Sequence, residues 1–317
     1  MEKMKVCFVG IGSIARRHIK NLHLVCEENG IVVQIDAYRR SLKTLDGVEN
    51  IYTRIEEVPN DYDAVFITNP TEMHLDTLYS FHEKGKHFFI EKPVVSFGQV
   101  VEAKKFRTRS NSVYYIATPL RYNPVIQWVK RNVDPDDVLS VRSISSSFLP
   151  DWRPGQDYRD TYSAHKDLGG GVSIDLIHEW DYLTYLFGWP LKVQCLIGKK
   201  SSLDIDSDDY AIYIAEYADK IAELHLDYFG KKTIREVQLF TKKDTIVGDL
   251  INNQIRFLVS GQEIIFHEER DDYQKRELLH FLNLMIDTRK NEDAFFLGLK
   301  VLQLTQGVLP DENYRRC

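Results

Sequence analysis

Apolar positions in the first third of the chain come as short continuous runs divided by stretches of helical period. Lys5 to Val9, Ile31 to Ala37, Asp63 to Thr68, Phe88 to Ile90 and Val113 to Ala117 read as strands, several apolar enough to be covered on both faces. Between them, Arg16 to Cys26, Met73 to Glu83 and Gln99 to Arg109 read as helices, with Thr71 placed to cap the second. Strands alternating with helices predict a parallel, doubly wound sheet. After Thr118-Pro119 the pattern changes. Asn123-Pro124 opens a helix to Asn132, and Val138 to Phe148 alternates as a strand. Leu149 to Lys166 has little periodicity and reads as a long connection. A helix follows Gly169-Gly170-Gly171, runs to Phe187 and stops at Gly188. Val193–Ile197, Tyr210–Tyr217, Ile221–Phe229, Ile234–Thr241, Thr245–Leu250, Gln254–Val259 and Glu263–Phe266 read as strands separated by tight turns, hence antiparallel. Gln274–Arg289 and Phe295–Gly307 are amphipathic helices.

The pattern therefore predicts an α/β domain over 1–118 and an α+β domain over 119–317. The second holds a large, open, mostly antiparallel sheet, and the last residues are free to pack back on the first domain. One face of such a sheet needs cover, and a second subunit is the expected answer.

Composition narrows the class. The 317 residues are 43% hydrophobic and 28% charged, with a net charge of −6. That balance argues against a general nucleic-acid-binding or anionic-membrane surface and leaves room for a local basic patch. No apolar run reaches the length of a membrane span. Met1-Glu2-Lys3-Met4-Lys5 leads straight into a strand without the apolar core of a signal peptide, and the scattered cysteines make a reducing cytoplasm the expected compartment. Cys7, Cys26, Cys195 and Cys317 show no metal-ligand spacing, and no metal is expected.

The candidate chemistry begins at the first strand end. Gly10-Ile11-Gly12-Ser13-Ile14-Ala15 is G-x-G-x-x-A between a strand and a helix. Gly10 allows the turn, Gly12 leaves room for a pyrophosphate, and Ala15 lets helix and strand close up. Ser13 and Ile14 then present helix-terminal N–H groups to phosphate. An acidic residue about 20 positions on reads the ribose of NAD. Asp36 fits that count but stands inside the apolar run. Arg39, Arg40 and Ser41, just past it, suit a 2′-phosphate, so NADP is favoured over NAD. Asn69 and His74 follow the third apolar strand and are further cofactor candidates. Glu91-Lys92-Pro93 ends the Phe88 to Ile90 run. A lysine held at a strand's carboxyl end can act as acid, base or electrostatic clamp, though the same residues also describe a plain strand-ending turn.

In the second half, the long connection carries Trp152, Arg153, Tyr158, Arg159, Tyr162 and His165. Aromatic faces and guanidinium forks suit a hydroxylated or anionic small molecule. Asp175, His178 and Asp181 recur on roughly one helical face, an arrangement that can hold and orient a proton-transfer base. A capping aspartate beside a core histidine gives the same pattern.

Taken together, Gly10 to Ala15 with His18, Thr68-Asn69-Pro70 with His74, Glu91-Lys92-Pro93, and Gly169-Gly170-Gly171 with Asp175, His178, Asp181 and Gly188 resemble the Gfo/Idh/MocA family of NAD(P)-dependent oxidoreductases. The resemblance implies a Rossmann domain, an α+β domain that builds dimers or tetramers, and a sugar, inositol or nucleotide-sugar-like substrate. It implies that Lys92 and His178 are the catalytic lysine and histidine, with Asp175 beside them. Asp175 stands three residues before His178, one closer than the family spacing, so Ser173 or Glu179 can share its place. Glu91 joins the cofactor-binding set, and Tyr122, Trp152, Arg153 and Tyr158 are the candidate substrate contacts. A non-redox sugar enzyme with bound cofactor, or a silent dinucleotide-binding regulator, are the alternatives.

Overall fold

The computed structural model describes residues 2–288 and 294–310. The chain forms two compact units. The first comprises residues 1–117 and 270–299, the second 118–269 and 300–317. Cys317 and Arg289 lie outside the described residues.

The first unit is built on a six-stranded parallel sheet in the order β3-β2-β1-β4-β5-β6. Its strands are β1 (Glu2–Val9), β2 (Ile31–Tyr38), β3 (Asn50–Tyr52), β4 (Tyr62–Ile67), β5 (Gly85–Ile90) and β6 (Tyr114–Ile116). The short β3 escapes the sequence pattern because none of its three residues is fully buried. Phe8, Phe66 and Phe89 stack through neighbouring strands and close the core beneath α1 (Ser13–Glu28). Phe88, Phe89 and Ile90 are fully buried, as a strand covered on both faces requires. Helix α7 (Arg270–Ile286) packs against α1, with Phe281 edge-on to Phe66 and Phe89.

Two local expectations change. The helix expected over Gln99 to Arg109 is only the short α3 (Val100–Ala103), entered through a capping box between Ser96 and Gln99. Beyond it Phe106 is drawn into a ring cluster with Tyr79, His82, Tyr114 and Phe295, and Arg109 reaches back to the carbonyl of Gly85. Tertiary packing and the mutual repulsion of Lys104, Lys105, Arg107 and Arg109 on a helix act together against the helical pattern. Thr71 does not cap α2 (His74–Phe81). It starts a 3₁₀ turn, and Met73 occupies the capping position with no side-chain bond.

The second unit holds an eight-stranded sheet in the order β14-β13-β12-β11-β7-β10-β9-β8. These are β7 (Val138–Phe148), β8 (Lys192–Gly198), β9 (Tyr210–Glu216), β10 (Ile221–Asp227), β11 (Phe229–Thr241), β12 (Thr245–Asp249), β13 (Gln254–Phe257) and β14 (Glu263–Ile265). All its pairings are antiparallel except β7 with β10. Helices α4 (Pro124–Asn132), α5 (Val172–Asp175) and α6 (His178–Phe187) belong to this unit, and α8 (Ala294–Leu304) crosses the boundary between Leu299 and Lys300. Trp180, Tyr182 and Leu183 of α6 are fully buried. Among the described residues no helix is long and apolar enough to cross a membrane.

Candidate active site

Three loops of the first unit meet at the carboxyl ends of β1, β4 and β5. Gly10 has φ +82°, and a Cβ there would stand 2.6 Å from Cα of Asn69. Only glycine allows both the turn and this approach. Thr68 Oγ1 donates to the Gly10 carbonyl at 2.7 Å, fastening the two loops. Gly12 is different: nothing lies within 4 Å of where its Cβ would be. Helix α1 starts at Ser13 with no side-chain cap, so the N–H groups of Ser13 and Ile14 begin an uncapped helix beside open space. That is a cradle for a phosphate group.

Asp36 is fully buried and takes no part in that rim. Its carboxylate accepts from Tyr62 at 2.9 Å and Asn50 at 2.8 Å. Cys7 pairs opposite it in the ladder, and desolvation with the charge of Asp36 pushes the Cys7 thiol up. Past the end of β2, Arg39 is half-buried, with its N–H held by the Tyr52 carbonyl, while Arg40 and Ser41 are exposed.

Lys92 follows β5 and is partly buried, with a cis peptide to Pro93. Glu91 places Oε1 2.5 Å from Nε2 of His18, a buried residue of α1. Burial alone would raise the Glu91 carboxyl. The His18 contact, together with the charge of Lys92, outweighs it and holds the group below the usual carboxylate range. His74 is buried as well. Its Nδ1 lies 3.0 Å from the Pro93 carbonyl and 3.3 Å from that of Val94, and its Nε2 lies 2.9 Å from the Asn69 carbonyl. Asn69 Nδ2 donates to Thr77 at 2.7 Å. Glu91 and His74, two expected cofactor contacts, are thus engaged with the chain itself.

In the second unit the glycine triplet has three separate reasons. Gly169 has φ +77° and ends a 3₁₀ turn. A Cβ on Gly170 would strike the backbone carbonyls of Tyr162 and His165, and one on Gly171, at φ +129°, would strike the carboxylate of Asp208. Asp208 in turn accepts from the Ser173 N–H at 2.8 Å, at the start of α5, and desolvation pushes its carboxyl up. The chain then breaks at Leu176 and resumes as α6 with His178, half-buried, as its first residue.

Asp175 accepts from the Tyr228 hydroxyl at 2.6 Å. The Tyr162 hydroxyl also bonds Asp175. The charge of that carboxylate first, and desolvation second, push the phenol up. Because Tyr162 is 44% exposed, the carboxylate contact is the stronger influence. Trp152 stands edge-on to Tyr228 at 5.2 Å and donates to Ser147, and the Arg153 guanidinium covers Tyr162 at 5.5 Å. Tyr158 accepts from the Asp204 N–H at 3.1 Å. Trp152 and Arg153 therefore gather around Asp175 through two tyrosines, one of which, Tyr228, the sequence did not single out. Nothing local marks Tyr228, which lies 53 residues from its partner.

Asp181 leaves the expected trio. Arg121 grips it with two bonds, Nε at 2.9 Å and Nη2 at 2.6 Å. The same 3₁₀ turn, Pro119–Tyr122, carries Tyr122. Glu179, fully buried and facing the sheet, accepts from Arg235 of β11 at 2.7 Å. Two guanidinium–carboxylate pairs thus anchor the helix that His178 begins.

Comparison with known proteins agrees with this architecture. Residues 4–117 match the model of the Gfo/Idh/MocA oxidoreductase family with an NAD-binding Rossmann fold, and residues 126–247 match that family's C-terminal domain. The chain is 26% identical over 198 residues to scyllo-inositol 2-dehydrogenase (NAD(+)) of Bacillus subtilis, covering 59% of this chain and 55% of that protein. It is 23% identical over 315 residues to myo-inositol 2-dehydrogenase of Thermotoga maritima, covering 93% and 87%. Against the first of these, and two similar relatives, the match spans about half the curated protein's length. A levoglucosan dehydrogenase in complex with NADH superposes with a TM-score of 0.83 at 15% identity, covering 97% of this chain and 96% of that one. Its two domains, in the family's order and with the family's glycine turn and Glu-Lys-Pro segment in place, make this chain a member of the Gfo/Idh/MocA oxidoreductase family.

Proposed function

We propose that the protein is an NAD(P)-dependent dehydrogenase or reductase of a CH–OH group on a sugar, inositol or nucleotide-sugar-like substrate. The observation that carries this reading is the bond between Glu91 and His18. It sets Lys92 one hydrogen bond away from the helix whose uncapped N-terminus and side-chain-free Gly12 fit a dinucleotide phosphate. Ligands of open α/β sheets bind outside these strand ends. The inositol dehydrogenases among its relatives support the substrate class.

A bound nicotinamide would supply the hydride acceptor or donor. In oxidation His178 takes the hydroxyl proton as the carbon loses hydride, and Lys92 steadies the charge growing on the oxygen; in reduction His178 returns the proton. Asp175, held by Tyr228 and Tyr162, adds a carboxylate on the substrate side. Trp152, Arg153, Tyr158 and Tyr122 line the substrate. Lys92→Met should lower turnover at least about a thousandfold while dinucleotide affinity stays within a few-fold. Comparable turnover in that variant would remove Lys92 from the reaction.

Of the two cofactors NADP is favoured. Asp36 is engaged by Tyr62 and Asn50, and Arg39, Arg40 and Ser41 follow the strand end. Thermal shift with each dinucleotide at equal concentration reads the preference directly. A larger shift with NAD would overturn this assignment.

Assembly through the sheet of the second unit completes the proposal. Leu196 and Ile214 are 67% and 46% exposed, and Ile144, Ile212 and Ile234 line a hollow of about 410 Å³ on the same face. A homodimer or homotetramer would cover it. Light scattering of Ile214→Glu against the native chain tests this; an unchanged mass rules that face out.

A further inference from the structure

Two imidazoles bracket Lys92 along the chain. On its N-terminal side, His18 bonds the side chain of Glu91; on its C-terminal side, His74 bonds the carbonyls of Pro93 and Val94. Both rings are about 1% exposed. Each reaches a different element: His18 belongs to α1, and His74 begins α2 while its other nitrogen holds Asn69. The segment 91–94 is therefore tied to the loop ends after β1 and β4.

The contacts of His74 are unusual. Both ring nitrogens face carbonyl oxygens, which only accept. A neutral imidazole has one N–H, so it can serve one side at a time. An imidazolium would serve both, but burial opposes the charge. Such a side chain is a poor choice for packing alone, since an apolar residue would fill the space without the conflict. It makes sense where the backbone on both sides must be fixed.

We propose that His74 and the His18–Glu91 pair are positioning residues for Lys92, fixing its backbone so that the ammonium group meets the reacting oxygen. The proposal rests on Lys92 acting as described above. Misplacing a reacting group by about 1 Å costs on the order of a hundredfold in rate.

The test compares His74→Leu, which removes both ring contacts, with His74→Asn, which restores a donor on the Pro93 side. In the full chain, with the preferred dinucleotide and the best substrate of an inositol and aldose panel, His74→Leu should lower kcat about 100-fold. Dinucleotide Kd should stay within about threefold, and the alkaline limb of the kcat profile should move. His74→Asn should recover at least about tenfold of the loss. A weakened dinucleotide Kd with kcat retained would make His74 a cofactor contact and overturn the proposal. Equal losses in both variants would overturn it too.

A second readout needs no turnover. Reductive ¹³C-methylation gives Lys92 an NMR signal, assigned by its absence in Lys92→Arg. His74→Leu and Glu91→Gln should each shift its titration midpoint by about 0.5 pH unit or more. An unmoved midpoint sinks the positioning role. A moved midpoint in a protein that turns over nothing in the panel leaves the bracket standing and defeats the proposed reaction instead.

Discussion

Around Lys92 the first unit uses buried imidazoles and backbone carbonyls, whereas around His178 the second unit uses guanidinium–carboxylate pairs. The contrast follows from what lies nearby. The loops after β4 and β5 are irregular backbone, rich in carbonyls that need donors, and a neutral ring supplies one without bringing a charge into the core. Helix α6 satisfies its own backbone, so it must be located through side chains, and Glu179 and Asp181 do this only because Arg235 and Arg121 meet them. Burial lowers the pKa of His74, so its ring stays neutral where a charge would be costly. The charged pairs fail badly when one partner is removed.

The largest expected effect breaks the second unit's device. Arg235→Met leaves Glu179 buried and unpaired, and should destabilise by about 3–5 kcal/mol. The double variant with Glu179→Met should recover most of it. The four tryptophans, Trp128, Trp152, Trp180 and Trp189, all lie in this unit, so fluorescence in urea reports on it directly. A double variant as unstable as the single one would show that the pair itself is not the issue. Gly170→Ala should cost about 2–3 kcal/mol, because the added methyl meets the carbonyls of Tyr162 and His165 and the backbone must shift. It should also raise KM for substrate by displacing the segment that carries Arg153 and Tyr158. An unchanged KM would detach that segment from substrate binding.

The first unit should show its device in pH. Burial, with Lys86 and Arg109 nearby, pushes the His87 ring down to about 4, and burial lowers His74 in the same direction. A ring whose folded pKa lies below its unfolded value of about 6.5 contributes stability above that value. The contribution is lost as pH falls toward the folded pKa. Between pH 6.5 and 4 the first unit should therefore weaken, on the order of 2 kcal/mol. Glu91 and Asp227, both held low, come into play only below about pH 4. Amide exchange corrected for intrinsic rates, followed in β4 and β5 against α6, resolves the two units. His87→Gln should flatten part of the first unit's slope, and an equal slope in both units would refute the contrast.

How far the sequence reaches differs between the same regions. The parallel sheet is legible because its strands are buried runs bounded by glycine and proline, and Gly10 and Gly12 announce their turn. The loop chemistry is half legible. His74 and Glu91 could be placed at the strand ends, but not their partners, because a hydrogen bond to Pro93 or His18 joins positions 19 and 73 residues apart. Asp175, His178 and Asp181 have helical spacing, yet the chain breaks at Leu176, and Asp181 turns to Arg121, 60 residues earlier. Periodicity reports which face a residue shares, not which distant charge will claim it.

Asp36 gives the finest test of that limit. By count it is a ribose-reading acid; by geometry it is a buried acceptor tied to Tyr62 and Asn50. The two roles make opposite demands on one substitution. A carboxylate that met ribose hydroxyls would, as Asp36→Asn, lose about tenfold or more in NAD affinity with little change in fold. A carboxylate that only satisfies its buried neighbours should leave dinucleotide Kd within about twofold and destabilise by about 1–2 kcal/mol, since an amide presents a donor to Tyr62 or Asn50 where each expects an acceptor. Tyr62→Phe should cost about 1 kcal/mol from the other side of the same bond. Titrating both variants with NAD and NADP, beside their urea midpoints, separates the cases. A selective loss of NAD binding would return Asp36 to the cofactor rim and leave Arg39 and Arg40 as a solvated turn.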